Sequence, residues 1–341
     1  MALPIVPILI GLGTAAGAFG VKKGIDAKND LDTANNLNQK ANDTYDSAKE
    51  QLELKRSDAQ NALATLGNTK INIYKNVVIP FVKEFEKIKK IDFKELSIGN
   101  ETISSPDKVE LNKMCKTSLE IEELVYSGIG ALGAGGLAGF AAYGSVGFLA
   151  TASTGTAIST LSGAAATNAT LAWLGGGSLA AGGMGMAGGT AVLGGIVAGP
   201  VLAVGGMMFA SKAEAAKIDA YSNKLKAELA AEEMKTAITV TNAIESQLLD
   251  MNSLLIKLNQ IASPLLLPFT NLVQRNKDYS TYTDFEQKGV FVTVSTIQMI
   301  KMLLDTPILT EQGLPTQQSK DIIDVSSELC NETAKAVLSI K

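Results

Sequence analysis

Apolar positions recur at helical spacing through most of this 341-residue chain and lose that spacing in one long central stretch. Leu31, Ala34, Asn38, Ala41, Tyr45, Ala48, Leu52, Lys55, Ala59, Ala62 and Leu66 follow one another by alternating steps of three and four. That period is the a/d seam of a coiled-coil helix, and its alanines imply close helix–helix approach. A second run, Ile71, Tyr74, Val77, Val78, Phe81, Val82, Phe85 and Ile88, carries the helix through Pro80. A proline there removes one backbone donor and predicts a kink. Between 90 and 116 the pattern weakens, and Gly99, Ser104, Ser105 and Pro106 predict a connection carrying a short amphipathic or hairpin element. A helix over 119–126 then carries Glu120, Glu122 and Glu123 as an acidic collar.

Beyond the central stretch, Lys212, Glu214 and Lys217 restore charge. Leu225, Leu229, Met234, Ile238, Ile244, Leu248, Met251, Leu255 and Leu258 then predict an amphipathic helix of roughly 50 residues, about 75 Å long. Pro264 and Pro268 predict a break, 285–304 a helix and 307–315 a loop. Ile322, Val325, Leu329, Ala336 and Leu338 predict a short final helix. The fold expected is all-α: a long amphipathic helical rod or bundle around a glycine-rich hydrophobic helical hairpin region. Its regions are 1–24 (apolar, with glycines), 25–123 (amphipathic), 124–211 (uncharged, for membrane insertion) and 212–341 (amphipathic).

Residues 124–211 contain no Asp, Glu, Lys or Arg in 88 positions, and 23 of the 32 glycines lie there. At the whole chain's 19% charged content such a window would hold roughly 17 charges. Absence this complete marks a segment for surroundings where charge is expensive, a bilayer or a protein interior. At about 20 residues per pass the block has length for two to four crossings. The candidate spans are 124–150, 171–191 and 190–210, with a Ser/Thr-rich tip over 151–170. Trp173, just past that tip, is a candidate interfacial anchor. The spans are weakly apolar: eight strongly apolar residues in 190–210 give roughly −2 to −5 kcal/mol toward insertion. Marginal spans suit a protein that is first soluble and later inserts.

Small residues also recur four apart, at Gly135 and Gly139, then Gly177, Ala181, Gly185 and Gly189, then Gly195 and Gly199. In lipid this spacing lets helix backbones approach until van der Waals and Cα–H contacts hold them. Gly13 with Gly17 and Gly20 with Gly24 repeat the spacing near the N-terminus. The same glycines would also serve a buried α-hairpin. The apolar stretch 1–21 has no positive leader and is interrupted by Pro4 and Pro7, so an uncleaved end is expected although Ala16-Gly17-Ala18 imitates a cleavage site.

Composition removes most chemistry. The chain has no histidine, hence neither the usual general base and zinc ligand nor a His-activated nucleophile. Cys115 and Cys330 are far apart and read as buried structural thiols. Gly175-Gly176-Gly177-Ser178 lacks the lysine of a phosphate loop. A net charge of −4 gives no attraction for nucleic acid. No enzyme, cofactor or metal is expected.

Long amphipathic helices on both sides of a charge-free block resemble the layout of α-helical pore-forming toxins of the cytolysin A and haemolysin BL/non-haemolytic enterotoxin type. The Gly/Ala-rich character of 171–209 resembles glycine-zipper membrane effectors and, more loosely, apolipoprotein L. The resemblance lies in architecture. It implies a membrane-associated protein, soluble before insertion, whose partners are a lipid bilayer and further copies or related helical subunits. The function expected is conditional insertion and oligomerisation that permeabilise or remodel a bilayer; a membrane-anchored coiled-coil scaffold or interaction subunit is the alternative.

Overall fold

The computed structural model describes residues 18–93, 96–98, 101–103, 108–120, 122–127, 140–142, 213–310 and 314–338. The fold is all-α. Two helices dominate it, α1 (Ala18–Ile73) and a later one of 63 residues (Ala213–Arg275). Between them come α2 (Ile79–Phe85), a two-stranded antiparallel hairpin (β1, Leu96–Ile98; β2, Glu101–Ile103), α3 (Lys108–Glu120) and α4 (Glu122–Ser127). The Ala213–Arg275 helix is α5; α6 (Asp284–Asp305) and α7 (Gln317–Leu338) complete the order. The hairpin pairs Leu96 with Ile103 and Ile98 with Glu101, within the connection expected to carry such an element.

Two compact units are distinguished, one formed by residues 1–50 and 200–235 and the other by 51–199 and 236–341. In the first, α1 and α5 run parallel: Lys217 Nζ donates to Asp30 Oδ1 at 2.7 Å and, further along both helices, Asn223 Nδ2 donates to Asn38 Oδ1 at 3.1 Å. The interface is built of small side chains, with Ala34, Ala41 and Ala48 buried on α1 and Ala220, Ala227, Ala230 and Ala231 on α5. A polar amide pair among alanines fixes the register, because a slip would leave both amides without partners. The α1 seam is thus where its 3–4 spacing placed it, every position buried or half-buried. The α5 face differs from expectation. Leu225 and Leu229 are 59% and 58% exposed, and with Ile218 and Tyr221 they form an outward stripe opposite the alanines. Helices in close approach through alanine leave no room for leucine between them, so the bulkier stripe faces away.

In the second unit α1 continues through Leu52, Ala59, Leu63 and Leu66 to Ile73, all buried. A π-helical turn, Tyr74–Val78, then precedes Pro80. There the Ile79 N–H bonds to the Tyr74 carbonyl, five residues back. The wider turn accommodates the ring and the missing donor that an α-helical register would not. Phe81 stacks on Phe85 and meets Phe269 of α5, with centroids 5.3 and 5.0 Å away. Parallel course persists here too, since the Lys89 N–H donates to the Lys277 carbonyl at 2.7 Å and the Tyr279 N–H to the Lys89 carbonyl at 3.0 Å.

Pro264 and Pro268 do not break α5, which runs on to Arg275. Both rings, and Gln260 one turn earlier, are exposed. The carbonyls of Gln260 and Pro264 that lose their donors therefore face water, while Leu258, Ala262, Phe269 and Val273 keep the opposite face buried. Helix α6 starts at a reciprocal cap in which Thr283 and Glu286 bond each other's backbone N–H. In α7 the buried face is Ser319, Ile323, Ser326 and Cys330, while Val325 and Leu329 of the expected stripe are exposed.

Candidate functional site: the anchor of the uncharged block

The uncharged block begins within α4. Its collar residue Glu122 pairs with Lys83 of α2, and Tyr126 donates its hydroxyl to the Lys75 carbonyl at 3.2 Å. The Lys83–Glu122 pair is half exposed and contributes little. A second attachment is made by 140–142, where Phe140, Ala141 and Ala142 are all fully buried. The Phe140 ring lies 5.9 Å from that of Tyr74, inclined by 57°. The rest of the grip is on the backbone. The Ala142 carbonyl accepts from the N–H groups of Ile308 (2.7 Å) and Leu309 (3.3 Å), and the Ala141 carbonyl accepts from Lys70 Nζ at 3.2 Å.

The donors at 308 and 309 are presented by the way α6 ends. Thr306 closes the helix by donating its N–H to the Met302 carbonyl. Pro307 prevents continuation, and the strand-like turn beyond it is held by the Thr310 N–H on Leu314 and the Thr316 N–H on Ile308. The described residues of the loop expected over 307–315, namely 307–310 and 314–315, thus form a clasp for 140–142.

Lys70 is wholly buried on the α1 stripe that includes Leu66, Ile73 and Tyr74. Besides Ala141, its Nζ donates to the Leu304 carbonyl at 3.2 Å, in the last turn of α6 where carbonyls lack helical partners. Burial pushes its pKa down to about 7, opposed by the attraction of Asp305. Lys301, also buried, pairs with Asp305 one turn on and sits 5.8 Å from the Tyr74 ring centroid. Burial lowers its pKa as well, Asp305 working against and Lys113 with that shift. Tyr74 donates its hydroxyl to Asp305 Oδ1 at 2.9 Å. Two amines therefore share the Asp305 carboxylate. With both protonated the cluster carries an excess positive charge; with Lys70 neutral it is balanced.

Gly13, Gly17, Gly135, Gly139, Gly177, Gly185, Gly189, Gly195, Gly199 and Trp173 lie outside the described residues, whereas Gly20 and Gly24 are within the start of α1. Residue type does not point to this cluster, because lysine ordinarily marks a solvated face. Its signal was nevertheless present: Lys70 stands four after Leu66 and four before Tyr74, and Lys301 four after Ile297. A shallow groove of about 810 Å³ between α2 and α3 is lined by Phe85, Ile88, Cys115 and Leu119. Burial pushes the Cys115 thiol up to about 11, leaving it unreactive at neutral pH. Both cysteines are free and buried.

Among the described residues, no helix is long and apolar enough to cross a membrane. Comparison with known proteins finds no matching family model, no similar curated protein and no similar solved structure.

Proposed function

We propose that this chain is a conditionally membrane-inserting helical protein, in which a helical scaffold retains a charge-free segment until that segment transfers to a lipid bilayer and oligomerises there, permeabilising or remodelling it. The observation that supports this reading is the attachment at 140–142. Among the described residues, the 88-residue block without charge is held at 140–142 by two backbone carbonyls and the Phe140 ring, and at Tyr126 by a hydroxyl bond to Lys75. The glycines four apart then supply helix packing within lipid, where apolar contact alone gives no drive.

A second reading, an interaction subunit or membrane-anchored scaffold without permeabilisation, is favoured by the outward stripe Ile218, Tyr221, Leu225 and Leu229, which offers a face to a second helical subunit. One preparation separates the two. Protein purified without detergent is sized with and without liposomes, while dye release and the emission of Trp173, the chain's single tryptophan, are followed. Insertion predicts lipid-dependent assembly, a blue shift and leakage, all lost in Gly185→Leu/Gly189→Leu with helicity unchanged. Co-sedimentation without leakage supports the scaffold, and absence of any vesicle affinity refutes both.

A further inference from the structure

We propose that Lys70, Tyr74, Lys301 and Asp305 form a proton-operated latch: with Lys70 neutral the clasp on 140–142 is closed, and protonation of Lys70 loosens it. The inference rests on the insertion reading for its purpose, because it supplies the trigger, but its mechanism is a property of the scaffold alone.

Donor counting supports it. A neutral amine has two N–H groups, and among the described residues Lys70 makes two hydrogen bonds, to Ala141 and Leu304. An ammonium brings a third proton and a full charge into a site with no exposure. The groups facing that charge are known from each neighbouring element. Helix α6 contributes Asp305, which already accepts from Tyr74 and Lys301, and contributes Lys301 itself as a competing cation. Helix α3 adds Lys113, which acts on Lys301 in the same positive sense. The 140–142 segment is uncharged and can answer only with carbonyl dipoles. The added proton therefore meets one anion, which already accepts from Tyr74 and Lys301.

The sign of the pH dependence follows from burial, which lowers the Lys70 pKa from 10.5 to about 7. An amine with a lowered pKa destabilises the closed form wherever the open form holds more protons, between those two values. Closure is therefore strengthened as pH rises from about 7 toward 10.5, is weakened on acidification, and stops changing once both forms are protonated. Between pH 8.5 and pH 6 the closed-to-open ratio falls by up to about 30-fold, the full value applying where opening exposes Lys70 to water, with little further change below pH 6.

The amides of Ile308 and Leu309 report the latch directly, since both donate to the Ala142 carbonyl. Their protection factors, corrected for the intrinsic pH dependence of exchange, are measured on the full chain without lipid at pH 6 and 8.5. The Thr306 amide, bonded within α6, is the internal control. The wild type is expected to lose protection at Ile308 and Leu309 by up to about 30-fold, with Thr306 unchanged. In Lys70→Met the dependence is expected to vanish while helicity is retained. In Asp305→Asn, where the shared anion is gone, the levelling-off moves below pH 6. Equal wild-type protection at the two pH values, or a slope that survives in Lys70→Met, overturns the latch. If Lys70→Met fails to fold, an unmoved levelling-off in Asp305→Asn does so. Because no lipid is present, such a failure leaves the insertion reading to its vesicle assay, and a vesicle-inert protein with a working latch refutes insertion alone.

Discussion

Truncating Phe140 to alanine tests whether the scaffold restrains the uncharged block through 140–142. The ring is fully buried and packs against Tyr74, itself fully buried. Removal of a buried phenylalanine costs about 3–5 kcal/mol in transfer and cavity terms. The cavity opens at the clasp, so the loss falls on the closed clasp. Converted to an equilibrium, it raises the open population by roughly 10²- to 10³-fold or more. The comparison that gives this magnitude its meaning is with the lipid side: strongly apolar residues of 190–210 contribute only roughly −2 to −5 kcal/mol toward insertion. Restraint and insertion are thus of the same order, and removing one contact changes which wins. Phe140→Ala should float with liposomes at a pH where the wild type remains in solution, while Phe140→Leu, which keeps most of the volume, should behave nearly as wild type. Exchange at Ile308 and Leu309 must rise in the same variant. If those amides are released and the protein is no more lipid-associated than wild type, then 140–142 does not restrain the block and the reasoning is wrong.

The Asn38–Asn223 pair sets a different expectation, because Asn223 is buried and its partner half-buried. Each single alanine variant should lose about 1–2 kcal/mol and the double variant less than their sum, since Ala–Ala matches the rest of the interface; chemical denaturation provides the double-mutant cycle, and strict additivity contradicts the assigned register role. Pro264→Ala and Pro268→Ala should each stabilise the second unit by at least about 1 kcal/mol, by restoring a helical donor on an exposed face. A lower denaturation midpoint in either would mean that the proline ring makes a contact the exposed position does not suggest.

The fold was legible in the chain where period and packing agree. The 3–4 steps from Leu31 to Leu66 located the buried side of α1 because each position repeats against the same neighbour. On α5 the spacing located Met234, Ile244, Leu248, Met251, Leu255 and Leu258, all buried, and misled only at the start of the helix and on α7. There the buried faces are Ala220, Ala227 and Ala230 in one and Ser319, Ile323, Ser326 and Cys330 in the other, while Leu225, Leu229, Val325 and Leu329 face outward. Side-chain size, set by how close the neighbouring helix comes, decided those faces, and size preference is invisible until the partner is known. Pro264 and Pro268 misled for a related reason: a proline breaks a helix when the freed carbonyl is buried, and exposure is a tertiary property. The candidate site was the least readable, since Lys70 and Lys301 carry the residue type that ordinarily marks a solvated face.

A lysine at position 70 suits an attachment that varies with pH. Methionine fits a similar volume without charge, at the expense of leaving the Ala141 and Leu304 carbonyls without their donor, about 1–3 kcal/mol for each buried group. Lysine supplies both bonds but carries the proton-linked penalty, about 5 kcal/mol at pH 6 and about 2 kcal/mol at pH 9. The two bonds together are worth about 2–6 kcal/mol, so they match or outweigh the penalty at pH 9 and are of the same size as it at pH 6. The advantage of wild type over Lys70→Met in clasp stability should therefore shrink by up to about 3 kcal/mol from pH 9 to pH 6. An attachment required only to be permanent has no use for that dependence, whereas one that must yield on acidification requires a group that gains its charge there.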